Sequence, residues 1–309
     1  MKTEVSIDCR KKTKQLDFWQ SQTVLRLLIS YIGFIATIWG IWRYGISIVD
    51  ISSLILFAFL TGIGFTVGYH RLFVHRSFEC VQSIRVLLAI FGLMGSHLTV
   101  TEYVAVHRCH HAFTDRPGDP HSPHLQEGNG FLKVIRGLWH SHTGWLFDSN
   151  LHLKDKIEQY ASDILKDPVI ARLDKLQYLW FFLGLLLPAL FGLSIVHTWT
   201  GALTAFLWGG LFRMFLQDQV KSFARGITHY FGSRPLKAEG FSTNHLIAYI
   251  TFGEWHNNHH AFPHSAKHGL NPWQLDSGYL VIAVMEKLGL ASRVKRVSRQ
   301  DIEAKKAQI

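Results

Sequence analysis

The feature that most limits how this chain can fold is a run from Leu176 to Phe212 that contains no Asp, Glu, Lys or Arg. A second apolar block extends from about Val24 to Tyr69. A helix needs about 20 apolar residues to cross a bilayer, so each block holds two crossings. The first block breaks at Arg43, Gly45 and Asp50, and the second turns around His197 to Gly201. Two transmembrane hairpins are therefore predicted, over about 24–69 and 176–216. The alternative, buried core helices of a large soluble protein, is disfavoured by the uncharged run.

Composition agrees, since only 17% of the residues are charged, against roughly 25% in a typical soluble domain. Arg10, Lys11, Lys12 and Lys14 precede any apolar core, which is not the pattern of a cleaved signal peptide. The N-terminus is expected to stay in the cytosol. With both hairpin tips outside, Arg43 is the only one of 32 basic residues placed there, as the positive-inside rule requires. The expectation is an all-α integral membrane protein with one domain over 1–309. Its termini and the segments 70–175 and 217–309 form a helical cytosolic cap. Val81 to Val106, apolar but interrupted by Arg85, His97 and Glu102, reads as an interfacial or buried amphipathic helix.

The formal charge of +10 comes without a basic stripe interleaved with aromatics, so nucleic acid is not an expected partner. Cys9, Cys80 and Cys109 form no C-x-x-C pair, which argues against a disulfide framework or a thiolate zinc site.

Chemistry concentrates in the histidines. Of 19, eight fall into three tight groups: His70 and His75 in HRLFVH, His107, His110 and His111 in HRCHH, and His256, His259 and His260 in HNNHH. Positions i, i+3 and i+4 of a helix share a face, so each H-x-x-H-H offers three imidazoles to one locus. Imidazole suits iron, copper, zinc and nickel alike, so ligand type does not name the metal. No H-E-x-x-H, G-x-S-x-G or glycine-rich phosphate loop is present, and no Glu is followed three residues later by His. Hydrolysis thereby loses ground, and the carboxylate-rich di-iron bundle is excluded. A histidine-rich metal transporter or sensor would place its ligands at mid-membrane depth, whereas these groups sit at or beyond the helix ends.

The stretches GYHRLFVHRSF, HRCHHAFTDRPGDPHSP, SHTGW, WHNNHHAFPHSAKHG and LGLASRVKRVS together resemble the membrane fatty acid desaturases, particularly the acyl-CoA Δ9 (stearoyl-CoA-like) branch, over nearly the whole chain. The resemblance implies two iron ions with O2 as co-substrate and the eight box histidines as ligands. It also implies a ninth ligand, His229 in RGITHYFGSRP. Two departures stand out: Arg225 occupies the place of the family's usual Asn, and GEWHNNHH is one residue shorter than the common G-E-x-W-H form. Hydroxylases, acetylenases and ketolases share the same framework.

Asp115, Asp119 and Glu254 are candidates to accept the outer N–H of ligand imidazoles, and His121, His264 and His268 are further outer candidates, as is His124. An apolar acyl chain would enter a tunnel between helices. Stepping back from His70 by helical turns gives Gly62, Ala58 and Leu54, roughly 12, 18 and 24 Å deeper. That face is expected to line the tunnel, with Leu54 or Ala58 at its closed end, unless these small residues serve close helix packing. Expected partners are the lipid bilayer, an acyl-CoA or acyl carrier protein substrate, and an external ferredoxin, rubredoxin or cytochrome b5-like electron donor.

Overall fold

The computed structural model describes residues 18–95, 98–148, 151 and 153–306. The basic N-terminal tail, His97 and His152 lie outside the described residues.

Helix α1 (Phe18–Tyr44) ends where Gly45 turns back with φ +73°. Ser47 then starts α2 (Ile48–Ile63) with reciprocal caps: its hydroxyl accepts from the Asp50 N–H, and the Asp50 carboxylate accepts from the Ser47 N–H at 2.8 Å. Such a box satisfies two donors that a helix start leaves open. Without a break, α2 continues as a π-helical segment, Gly64–Val74.

After the two-residue strand β1 (Glu79–Cys80) come α3 (Gln82–Leu93) and α4 (Val100–Phe113). The single helix expected over 81–106 is thus two. The reason is a helix start in its middle, Thr99-x-x-Glu102, where side chain and backbone cap one another in both directions. The cap continues through α5 (Gly130–His142), a 3-10 turn (Gly144–Phe147), α6 (Leu153–Tyr160), α7 (Ser162–Leu165) and α8 (Pro168–Lys175).

Helix α9 (Gln177–Val196) stops at His197, which adopts a left-handed conformation with φ 56°. Thr198 caps α10 (Trp199–Ala205), followed by a second π segment (Phe206–Phe212) and α11 (Arg213–Ile227). The chain closes with α12 (His256–Ala261), α13 (Ser277–Lys287), strand β2 (Ala291–Ser292), antiparallel to β1, and α14 (Arg299–Ala304).

Among the described residues, three helices are long and apolar enough to cross a membrane: Gln20–Tyr44, Ile48–Val74 and Gln177–Val196. The fourth expected crossing falls on α10, the second π segment and the start of α11. Its length is divided among these pieces, and Arg213 lies at the last junction. Small residues let these helices approach closely. A Cβ added at Gly209 would lie 2.1 Å from Ser53 Oγ, and one at Gly64 would lie 2.3 Å from the Gly92 backbone N. On the cap side, Val67, Leu88, Val104, Ile170 and Ile282 form one buried core joining the first π segment, α3, α4, α8 and α13. That core fixes the end of the second crossing against the cap.

Candidate metal centre

Helix α4 carries His107, His110 and His111, and α12 carries His256, His259 and His260, each set on one face by α-helical spacing. His70 and His75 are five residues apart, which an α-helix would point in different directions. The π segment resolves this: the His75 N–H donates to the His70 carbonyl at 3.1 Å, an i to i+5 bond, and the two rings come to 4.8 Å.

Two groups result. His70, His75, His107, His111 and His259 form one, and His110, His229, His256 and His260 the other; within each, one ring nitrogen per residue lies within 4.8 Å of all the rest. Both triplets are split between the groups. The His111 and His260 rings stack at 4.4 Å across the divide.

Carboxylates hold the outer nitrogens. Glu254 lies 2.8 Å from His70 Nδ1, Asp119 2.9 Å from His110 Nδ1 and Asp115 2.8 Å from His229 Nδ1. A proton on each Nδ1 leaves the Nε2 lone pair pointing inward. There it meets other nitrogens: His70 Nε2 is 3.1 Å from His259 Nε2, and His229 Nε2 is 2.8 Å from His256 Nε2. His75 Nε2 is buried with no hydrogen-bond partner among the described residues. Converging lone pairs repel unless a cation sits between them, so the donor set fits a pair of transition-metal ions.

Protonation favours the same occupant. Burial first, and neighbouring imidazoles second, push His75, His107, His111, His256, His259 and His260 well below the ordinary histidine value. These rings are neutral near pH 7, as ligands must be. Burial opposes ionisation of Asp115, yet bonds from His229, the Ser122 hydroxyl and the Phe241 N–H overcome it and hold the carboxylate well below its usual range.

The fatty acid desaturase family model matches residues 47–291. This chain belongs to the fatty acid desaturase family. It is 43% identical over 282 residues, 90% of its length, to the hex-5-enoyl-[acyl-carrier protein] acetylenase of Moorena producens, covering 87% of that protein. It is 35% identical to the sn-1 stearoyl-lipid 9-desaturase of Anabaena variabilis, over 80% of this chain and 84% of that one. An acyl-CoA C20 Delta5-desaturase of Anemone leveillei is 34% identical over 78% of this chain and 72% of its own.

The remaining candidates of this desaturase fall into place unevenly. His121 joins His110 and Asp119, and its ring is 5.5 Å from that of Trp145. His268 Nδ1 lies 3.3 Å from Glu254. His264 stays outside both groups, its Nδ1 3.2 Å from the His75 carbonyl. His124 Nε2 donates to the His229 carbonyl at 2.8 Å.

Several supporting residues were missed in the sequence. Arg71, fully buried, pairs with Asp276 at 2.9 Å and Glu254 at 3.4 Å and donates to the Ala266 carbonyl. Arg108 spans from the Phe73 and Val74 carbonyls to Asp163. Asn257 and Asn258, between the third-box histidines, bond to Leu236, Ser242, Asn244, His268 and Gln274. The available signal was position: each sits next to a box histidine and so projects about 100° around its helix from it, toward the supporting structure.

A cavity of about 200 Å³ opens from the histidines, and His70, His107, His110, His229 and His256 all reach its wall. Gly62 lines it, but Leu54 and Ala58 do not. The cavity follows α2 only as far as Thr61 and does not continue along the path toward those two residues. The Gln217 side chain crosses from α11 and donates to the Ala58 carbonyl at 3.0 Å, which blocks that path. Arg225 also lines the cavity. It lies 5.0 Å over the Trp145 ring and donates to the Ser141 carbonyl.

Proposed function

We propose that this chain is an O2-dependent di-iron oxidoreductase that removes hydrogen from adjacent carbons of an acyl chain carried as a thioester. The observation that supports it most is the convergence of nine imidazoles, in groups of five and four, at the end of an apolar cavity. His70, His75, His107, His111 and His259 would hold one iron, and His110, His229, His256 and His260 the other. Iron, when bound, supplies the one-electron chemistry that O2 and an unactivated C–H bond require.

The chain's own residues do the rest. Asp115, Asp119 and Glu254 keep the Nδ1 protons of His229, His110 and His70 in place, which fixes the ring orientation. Val106, Leu98, Phe65, Leu146 and Trp145 form the apolar wall that positions the chain and excludes water. In balance, the substrate gives up two hydrogens as a carbon–carbon bond order rises by one. These, with two electrons and two protons from an external redox protein, reduce O2 to two waters.

The identity to an acetylenase acting on an acyl carrier protein favours that carrier over the CoA and Δ9 position expected from sequence. It also supports a second step, conversion of an alkene to an alkyne by the same stoichiometry. The whole chain, on this reading, is one domain with four crossings, the fourth on α10 to α11, and with its cap in the cytosol. Purified protein loaded with Fe(II) and supplied with reductant, O2 and acyl carrier protein thioesters should yield products two or four mass units lighter. A product sixteen units heavier would instead show hydroxylation, and no product at any chain length would overturn the reading.

A further inference from the structure

The cavity stops well short of the depth that the second crossing could offer it. Its wall on that helix runs from His70 through Thr66, Phe65 and Gly62 to Thr61, and on α11 its first lining residue is Gln217. Below this level lies a closed polar cluster. The Gln217 Oε1 accepts from Arg213 Nη1 at 3.0 Å and lies 2.9 Å from the Thr61 hydroxyl, while its Nε2 donates to the Ala58 carbonyl.

Arg213 is fully buried. Its other donors reach the Gly209 carbonyl at 2.7 Å, the Gly184 carbonyl at 3.1 Å and the Thr61 hydroxyl at 3.2 Å. A guanidinium placed among membrane helices is costly and persists where it has a use. An alkyl chain entering this space would have to break those bonds and offer no acceptor in return, leaving a buried cation unsatisfied. The opposite wall is also closed: Phe252 lies so tightly on Gly62 that a Cβ there would sit 2.2 Å from the ring.

We propose that Thr61, Gln217 and Arg213 form the floor of the acyl cavity and restrict this enzyme to acyl thioesters shorter than palmitoyl and stearoyl. This rests on the functional reading above and adds its substrate class. The floor acts by keeping its own hydrogen bonds, so the discrimination is steric and electrostatic together.

The test uses acyl carrier protein thioesters from hexanoyl to stearoyl, in two measurements. On iron-loaded protein held without reductant, so that no turnover occurs, affinity should rise about fourfold per added methylene while the chain still buries apolar surface, then stop rising at or before decanoyl. On iron-loaded protein, product formation should fall at least tenfold between decanoyl and palmitoyl. Arg213→Leu combined with Gln217→Ala removes both polar partners together, and it should move the affinity break to longer chains. Ala58→Phe, behind the floor, should leave the break where it is. Wild-type binding that keeps climbing to stearoyl overturns the proposal without any variant. Absence of product from every chain length, with the affinity break still present, overturns the functional reading and leaves the floor standing.

Discussion

Glu254 touches three groups at once: His70 Nδ1 at 2.8 Å, His268 Nδ1 at 3.3 Å and the Arg71 guanidinium at 3.4 Å. His70 first, with His268 and Arg71, draws its carboxyl well below the usual range against the opposing effect of burial. Glu254→Gln keeps the shape and removes the charge. Partners of this kind are worth about 10- to 100-fold in metal affinity, so iron retention against a competing chelator should fall by that factor; unchanged retention would assign Glu254 to packing alone. Arg225 invites the converse experiment. Burial lowers its guanidinium to about 10, still cationic at pH 7, and it has no lone pair with which to bind metal. Arg225→Asn should leave the iron content per chain unchanged, whereas His229→Ala should lose the iron of the four-histidine group and halve it. Equal iron loss in both variants would contradict this division of roles.

Between elements, the first and second histidine boxes are joined by Arg108 as well as by their own ring contacts, His70 to His107 at 4.6 Å and His75 to His111 at 4.7 Å. The Arg108 guanidinium donates to the Phe73 and Val74 carbonyls at the end of the π segment, to the Tyr160 carbonyl, and to Asp163. Bonds from Arg108 and Arg76 outweigh burial and bring Asp163 down to about 2. Its contribution is therefore present above the unfolded value near 3.9 and is lost only as pH falls through about 2. Arg108→Met strands three carbonyls and leaves Asp163 with Arg76 alone, and should lower stability on the order of 2 kcal/mol, a drop of several degrees in the thermal midpoint of detergent-solubilised protein. An unchanged midpoint would mean that the clamp is dispensable. This level of organisation is where sequence reading lost power. Hydropathy and caps are local properties, so both hairpin turns, at Gly45 and at His197, were legible. The two H-x-x-H-H sets were legible because their spacing repeats a helical face, whereas His229 entered only through the family resemblance. The π geometry that makes His70 and His75 neighbours depends on tertiary packing of Gly64 against α3, and nothing in a run of apolar residues announces it. The outline of the cavity was not legible for a similar reason: it is lined by Gln217, far from Ala58 in sequence and on another helix.

At the scale of the whole molecule, the histidine groups draw residues from the end of the π segment after α2, from α4, from the turn after α11 and from α12, and so join the long apolar helices to the cap. Helix α12 has only six residues, too few to persist alone. Without metal it depends on the amides of Asn257 and Asn258 and on the Arg71 pair with Asp276. Each hydrogen bond nets about 1 kcal/mol, enough to keep the segment folded on average but not against frequent opening. A ligand that binds only the closed form adds about 2.7 kcal/mol when present at a hundred times its dissociation constant. That corresponds to about a hundredfold smaller open population, and cleavage follows that population when reclosing is faster than the protease. Chelation of the iron-loaded protein should therefore speed proteolysis within 230–255 by up to about a hundredfold, while the helices from α1 to α11, which carry five of the nine histidines, stay together through their own close packing. Restoring Fe(II) should reverse the effect. Identical cleavage rates with and without chelator would show that the polypeptide alone fixes the histidine array, and that iron enters a cage already closed.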